Sequence, residues 1–423
     1  MSSSFKARQD ISWRKLKMSE KISVPSRSTV TLDVVNGDLI IGRNAIVKGM
    51  GAPPKLKVLG TVHCEGGNVL ECDLSAENLE ADANVTIHGD IAIENKIEVE
   101  NGRLEVYGKI TASRIDIDNA LYVNKDLVSE EIDVGGSLKV GGAVKADGID
   151  VGGSFMAKGE VNVNTIDAGG SALIESKVYA KTLDVGGTAK VGGGKIDKID
   201  IGGSFESTSP LEFKSIDVGG SVRLADKSKG HWIDVGGVLR VEGDLNFESI
   251  DVGGKVEIKG SGEGGEINVG GKVEVGGFLK LSGKLEVGGK VEIGEEVEAE
   301  NVEIGGELRA RKVLAKNSVE VGGSINTVEG TIGRFVEIGR GGEVRGPIKA
   351  KQIHVGKEAH VEDVFGEQIL LKHGAHAENI YGESITIESD CHISGGIQYT
   401  KELRIGNNVS MVKPPQKVDT IPY

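Results

Sequence analysis

Cysteine, proline and aromatic residues are all scarce in this chain, and each shortage excludes something. Three cysteines cannot build a disulfide framework, and none of them has the spacing of a zinc site. Eight prolines among 423 residues rule out a proline-rich linker or a collagen-like fibre. Aromatics make up only 4% of the chain, less than the bulk with which a globular enzyme of this size lines its pocket. No long apolar run exists, so no transmembrane helix is expected, and the N-terminus lacks a signal peptide's apolar stretch. A cytoplasmic protein, with the inner face of the membrane as a further location, is the expectation. The net charge of −14 disfavours nucleic acid as a partner.

Glycine, by contrast, is abundant at 64 residues, and it recurs in a phrase of the form Ile-Asp-Val-Gly-Gly. The phrase begins at Ile132, Ile149, Ile166, Leu183, Ile199, Ile216, Ile233, Ile250, Ile267, Leu285, Val302 and Val319. Further returns start at Val336, Ile353, Ile369, Ile385 and Leu403, where the glycines fade. Successive starts lie 16, 17 or 18 apart. So short and regular a period predicts a solenoid whose unit is one coil. Within the unit from Ile132, the apolar pairs Ile132/Val134, Leu138/Val140 and Val144/Ala146 alternate with period two, as half-buried strands do. Gly135-Gly136, Gly141-Gly142 and Asp147-Gly148 separate them, and glycine at these corners is expected to supply positive φ. A helix is excluded, since each glycine would cost about 1 kcal/mol relative to alanine. The variable coil length argues against a left-handed hexapeptide helix. The fold expected is therefore all-β: a single long, parallel, right-handed and triangular β-helix whose coil is one phrase period, about 17 residues.

The register continues upstream through Ile115, Ile97 and Leu79, and Leu39 and Leu56 are again 17 apart. One irregular step of 23 separates Leu56 from Leu79, which places an irregular coil around 57–78. The expected organisation is a basic tail over 1–21, a continuous β-helix over 22–410 and a disordered proline-containing tail over 411–423. The regular Gly-Gly repeats occupy 132–335 of that β-helix, and the coils of 336–410 follow them. At roughly 4.8 Å per coil, about 22 coils would make a rod on the order of 100 Å long.

Three features invite functional readings. The segment Met1–Lys21 carries six basic residues against Asp10 and Glu20, a net of +4. Phe5, Trp13 and Leu16 would share one face of a short helix. With Lys6, Arg8, Arg14, Lys15 and Lys17 they are the candidate contacts to an anionic membrane, the alternative being an ordinary or end-covering tail. The second phrase position stacks Asp116, Asp133, Asp150, Asp167, Asp184, Asp200, Asp217, Asp234 and Asp251, then Asn268 and the glutamates 286, 303, 320 and 337. This outward ladder either gathers cations or, the reading preferred, is a solvated edge that prevents lateral stacking. His360, His376 and His392 form a third column, evenly spaced at one coil per step, which would hold a metal ion or respond to pH. No cysteine joins them, because Cys391 falls on the inward position shared by Ala359 and Ala375, so no metal site is assigned.

Catalytic signatures are missing. There is no Walker A pattern and no Gly-x-Gly-x-x-Gly opening a helix, and minimal coils leave no material for a cleft; the flat Thr-x-Thr array of an ice-binding solenoid is missing too. Neither enzyme activity nor a cofactor is expected. What remains is a rod with two sheet ends, each exposing unpaired backbone and a slice of core. The candidate self-association residues are Ile22, Val24, Leu39 and Ile41 at one end and Ile397, Tyr399, Leu403, Ile405 and Val409 at the other.

The stretch Val336-Glu337-Ile338-Gly339, followed by Gly342-Glu343-Val344-Arg345-Gly346-Pro347-Ile348, resembles the repeat of the bactofilins, polymer-forming cytoskeletal proteins. The pattern returns in His354-Val355-Gly356 with Ala359-His360-Val361, in Leu403-Arg404-Ile405-Gly406, and near the start in Leu39-Ile40-Ile41-Gly42 with Ala45-Ile46-Val47. The most specific match runs from Val336 to Val409, and the long Gly-Gly array fits only loosely. The resemblance implies a right-handed β-helix that polymerises through its ends into non-polar filaments without nucleotide, and membrane attachment through the N-terminal tail. Two functions are therefore carried forward: a self-assembling scaffold, and a β-solenoid adaptor that presents its charged edge to a protein partner.

Overall fold

The computed structural model describes residues 21–421; the candidate membrane contacts Phe5 to Lys17 lie outside them. The chain is an all-β parallel β-solenoid of about 23 turns with about 17 residues per turn, and no helix occurs among the described residues. It divides into two compact units, up to Gly136 and from Ser137 onward.

In the first unit three parallel sheets are built in rotation. Face A contains Lys21–Val24, Asp38–Ile41, Thr61–Cys64, Asn78–Ala81, Lys96–Val99, Arg114–Ile117 and Glu131–Val134. Face B runs from Thr29–Leu32 through Ile46–Gly49 to Ala120–Val123, and face C from Val34–Val35 through Lys55–Val58 to Leu127–Val128. Each strand pairs with the third strand ahead, so equivalent side chains stack: Leu39 on Val62, Val62 on Leu79, Leu79 on Ile97, Ile97 on Ile115 and Ile115 on Ile132. All of these are buried. Removing each such side chain from water contributes about 1.5–3 kcal/mol, which is how an aromatic-poor core holds.

One turn here lies off the column that its spacing predicts. Leu39 and Leu56 were expected in one column, but Leu39 pairs with Val62, and Leu56 pairs with Leu74 on face C. The extra residues sit in the corner Met50–Pro54, closed by mutual N–H···O bonds between Met50 and Lys55 of 3.1 and 2.8 Å. The irregularity therefore precedes 57–78, and that segment is regular solenoid. A coincidental step of one period hid it.

In the second unit the phrase column stays in register from Ile149 to Leu403, strand upon strand. Early turns use four-residue strands such as Ser154–Ala157. Late ones fuse, and His360–Leu371 and His376–Ile387 run unbroken around all three sides.

The role of the phrase glycines differs from the expectation. None of Gly135, Gly136, Gly141, Gly142 or Gly148 has positive φ, nor does any later phrase pair from Gly152-Gly153 to Gly322-Gly323. Glycine is required for closeness instead. A Cβ on Gly253 would lie 2.5 Å from the carbonyl oxygen of Gly236, one turn below. The second glycines form a backbone ladder, Gly203 N–H to Gly187 O at 2.9 Å and Gly237 N–H to Gly220 O at 3.0 Å.

The segment after residue 410 also departs from the disorder expected of it. Ser410–Met411 pairs with His392–Ile393, and Gln416–Lys417 pairs with Gln398–Tyr399. Pro414 and Pro415 fall at the corner between these strands, where no N–H is demanded of the ladder.

Candidate functional site

Among the described residues the solenoid's own pairing runs out at two strand edges, one in each unit. In the first unit, Lys21–Val24 pairs only with Asp38–Ile41 among the described residues. Ile22 is half-buried, whereas Val24, Leu39 and Ile41 are fully buried. Of the four residues expected at this end, only Ile22 therefore reaches the surface. Val30, Leu32 and Val34 on the neighbouring strands do reach it, and the phrase spacing gave no hint of them because they lie off its column.

In the second unit the strand Ile397–Ile405 lies over His376–Ile387. Its first half is covered: Ile397 is buried, and Tyr399 is half-buried with its carbonyl accepting the N–H of Val418 at 2.9 Å. Its second half, Glu402-Leu403-Arg404-Ile405, has no second strand among the described residues. Leu403 and Val409 are half-buried and Ile405 is 41% exposed, while Ile385 and Ile387 directly beneath are at 1%. An apolar strand edge with free backbone groups results. Arg404 Nε donates to Glu402 at 2.7 Å on the outward side of the same strand.

The aspartate ladder is in register as expected, from Asp150 through Asp167, Asp184, Asp200, Asp217 and Asp234 to Asp251. Within this run only Asp200 has an ion-pair partner among the described residues, Lys198 at 3.2 Å. Partial burial, then the neighbours Asp167 and Asp200, hold the Asp184 carboxyl above its ordinary value; Asp234 is raised in the same way, with Asp217 and Asp251 as neighbours. Further along, cations interleave. Lys284 bridges Glu286 and Glu303 at 2.8 and 2.7 Å, and on the following strand Lys290 bridges Glu292 and Glu307 at 2.8 and 2.9 Å. Hydrogen bonds from Lys272 and Lys290 hold Glu292 down to about 2.

His360, His376 and His392 stack as their spacing implied. The first two rings are parallel, 4.3 Å apart and tilted by 4°, and the third lies 5.7 Å from the second at 51°. Face-to-face rings do not converge on one point, and no group of three or more His, Cys, Asp or Glu that could hold a metal ion occurs among the described residues. Cys391 is buried in the inward column with Ala359 and Ala375. Burial, then Asp82, pushes the Cys64 thiol up to about 12, and burial, then Asp73, pushes Cys72 up to about 11, so neither is a poised nucleophile.

One further surface feature has no counterpart in the repeat pattern. A groove of about 450 Å³ opens between Lys195, Lys214, Lys229 and His231, and the ring of His231 lies 5.5 Å from that of Trp232, itself 54% exposed. Its cations are engaged: Lys195 and Lys229 with Glu212, Lys214 with Asp197 at 2.7 Å and His231 with Glu248 at 2.9 Å. A lone tryptophan in an aromatic-poor repeat was the available signal.

No protein-family model matches this chain, and neither the curated proteins nor the solved structures contain a match to it. The class that the fold defines is therefore the parallel β-solenoid, with no family assigned.

Proposed function

We propose that this protein is a self-assembling cytoskeletal scaffold of the bactofilin kind, which polymerises without nucleotide through the edges of its solenoid. The observation that carries the reading is the half-open strand Glu402–Ile405, with its exposed Ile405 and a backbone edge that no second strand covers among the described residues. A second copy related by a two-fold axis at Leu403 would add an antiparallel strand there. That register sets Leu403 against Leu403 and each Glu402 against the other copy's Arg404, on the same outward face. Burying roughly 500 Å² of apolar surface at about 25 cal/mol per Å² offers on the order of 12 kcal/mol before association costs, enough for micromolar assembly. The repeat-like stretch Val336–Val409 supports the same reading. Cytoplasmic residence, with the basic N-terminal segment engaging anionic lipid, belongs to this proposal, as does the absence of enzymatic activity.

The competing adaptor reading is favoured by the nearly unpaired carboxylates Asp150 to Asp251, which would attract a basic protein partner. Sedimentation with negative-stain microscopy separates the two. Wild-type protein should form filaments in ordinary buffer without ATP or GTP. Leu403→Arg or Ile405→Lys should leave soluble protein with an unchanged β-sheet spectrum. A wild-type monomer at high micromolar concentration would discard the scaffold in favour of the adaptor.

A further inference from the structure

We infer that the His360–His376–His392 stack is a proton-sensitive clasp on the last turns of the solenoid: charging it loosens the strands that carry the Glu402–Ile405 edge. The functional consequence rests on the scaffold reading above; the clasp itself does not.

The column begins on Glu343, continues through the three histidines, and ends under Ser410, the first residue of the strand that closes the last turn on this face. Neutral imidazoles pack favourably here, the first pair stacked at 4.3 Å and the second tilted at 5.7 Å. Protonated rings at those separations repel, and the register of the sheet prevents them from moving apart along the strands. The middle ring is the most committed. The His376 Nδ1 is buried without a hydrogen-bond partner, and the Gly374 backbone nearby favours the charged form without completing a hydrogen bond. Burial first, then the two flanking histidines, lowers the pKa of His376 below its ordinary 6.5.

The acids around the column are mostly occupied. Glu343 is paired with Arg345 at 2.9 Å and Glu358 with Arg340 at 3.2 Å. Glu362 accepts the N–H of Gly346 at 2.8 Å, and Asp390 lies 3.3 Å from His373. Glu378, two positions along the strand from His376, is the one carboxylate of the set without a partner among the described residues. Ser410 above His392 brings no charge. One free carboxylate does not balance three imidazolium groups.

The direction follows from linkage. The unfolded segment binds the His376 proton more tightly than the folded one, so the stabilisation is complete above pH 6.5 and is lost as pH falls below it toward the depressed folded value. Acidification therefore opens the last turns while the interior turns, which have no such stack, stay closed.

Hydrogen exchange read by mass spectrometry on the full chain, kept dilute enough to remain unassembled, tests the clasp. Between about pH 7.5 and about pH 5.5, protection of residues 392–418 should fall on the order of tenfold relative to residues 267–321. In His360→Gln/His376→Gln/His392→Gln the fall should vanish, and His376→Gln alone should reduce it if the triple variant does not fold. Unchanged protection in the wild type, or an equal fall in the glutamine variants, overturns the clasp. Sedimentation over the same pH range reads the consequence separately. Exchange that depends on the histidines in a protein that never assembles keeps the clasp and removes the scaffold; assembly with histidine-independent exchange does the reverse.

Discussion

The Gly-Gly turns of residues 148–323 and the later turns of residues 336–411 share one register and one column of stacked Ile, Val and Leu, yet they turn their first corner by different physics. In the array, two glycines bring successive backbones so close that no Cβ fits, and positive φ plays no part. In the later turns the first glycine remains at Gly339, Gly356 and Gly406 and gives way to Lys372 and Glu388, and in every one a left-handed residue follows: Gly341, Glu358, Gly374, Asp390 and Asn408. Its N–H reaches the next turn, from Gly341 to Lys357 O at 2.8 Å and from Glu358 to His373 O at 3.0 Å. The first turns of the other unit use the same device at Arg27 and Asn44. A solenoid thus has two solutions for one corner, and only one of them leaves room for side chains.

The largest expected effect comes from exploiting that difference. Gly253→Ala drives a methyl group into the Gly236 carbonyl and should cost about 3 kcal/mol, the upper range for overpacking, with melting of the adjoining turns. Gly341→Ala meets nothing within 4 Å and should cost only about 1 kcal/mol, for the left-handed φ of +66°. Thermal unfolding of the two variants checks the order; a reversal would mean that conformation, rather than closeness, fixes glycine in the array.

Glu358→Gly should do the opposite. Glutamate occupies φ +59° in a column whose neighbours Gly341 and Gly374 are glycines. Relieving that strain gains about 1 kcal/mol, partly offset by the freer unfolded chain and by the loss of an exposed pair with Arg340 worth little. A net gain of about 0.5 kcal/mol in chemical denaturation is expected. A loss would show that the Arg340 pair, and not the corner, governs this turn.

Much of this was legible beforehand because period and alternation report which side chains point inward. The phrase column from Ile149 to Leu403, the inward Cys391, the outward aspartates and the histidine stack all follow from counting. What failed to show was whatever leaves spacing unchanged. The corner at Met50–Pro54 was masked by Leu56 falling one apparent period after Leu39, on another face. Composition cannot distinguish a glycine needed for φ from one needed for proximity, so the array's corners were misassigned. Prolines suggested a disordered tail, yet Pro414 and Pro415 occupy a corner and the strands beside them pair. At the edges, burial of Leu39, Ile41 and Ile397 depends on one further turn being present, which a repeat pattern does not reveal.

The smallest effect concerns the aspartates, and its sign distinguishes them from the histidines. Asp184 lies between Asp167 and Asp200, and its carboxyl is raised above the ordinary 3.8 by partial burial and by those neighbours. The folded chain therefore holds this proton more tightly than the unfolded chain does. Its contribution to stability grows as pH falls through the raised folded value toward 3.8, opposite to the loss expected of His376 below 6.5. Glutamates such as Glu292, held down to about 2 by Lys272 and Lys290, work against it only below their ordinary 4.5. Asp184→Asn removes one charge from the ladder and should raise the melting temperature by about 1 °C near neutral pH, in proportion to a surface change of about 0.5 kcal/mol or less. Added salt should raise the wild type slightly and the variant less, because screening and substitution relieve the same repulsion. Calorimetric titration with calcium or magnesium should show no saturable site at micromolar concentration. Stoichiometric binding abolished by Asp184→Asn would turn the ladder from a solvated edge into an ion-binding one, and the array would then differ from the later turns in function as well as in its corners.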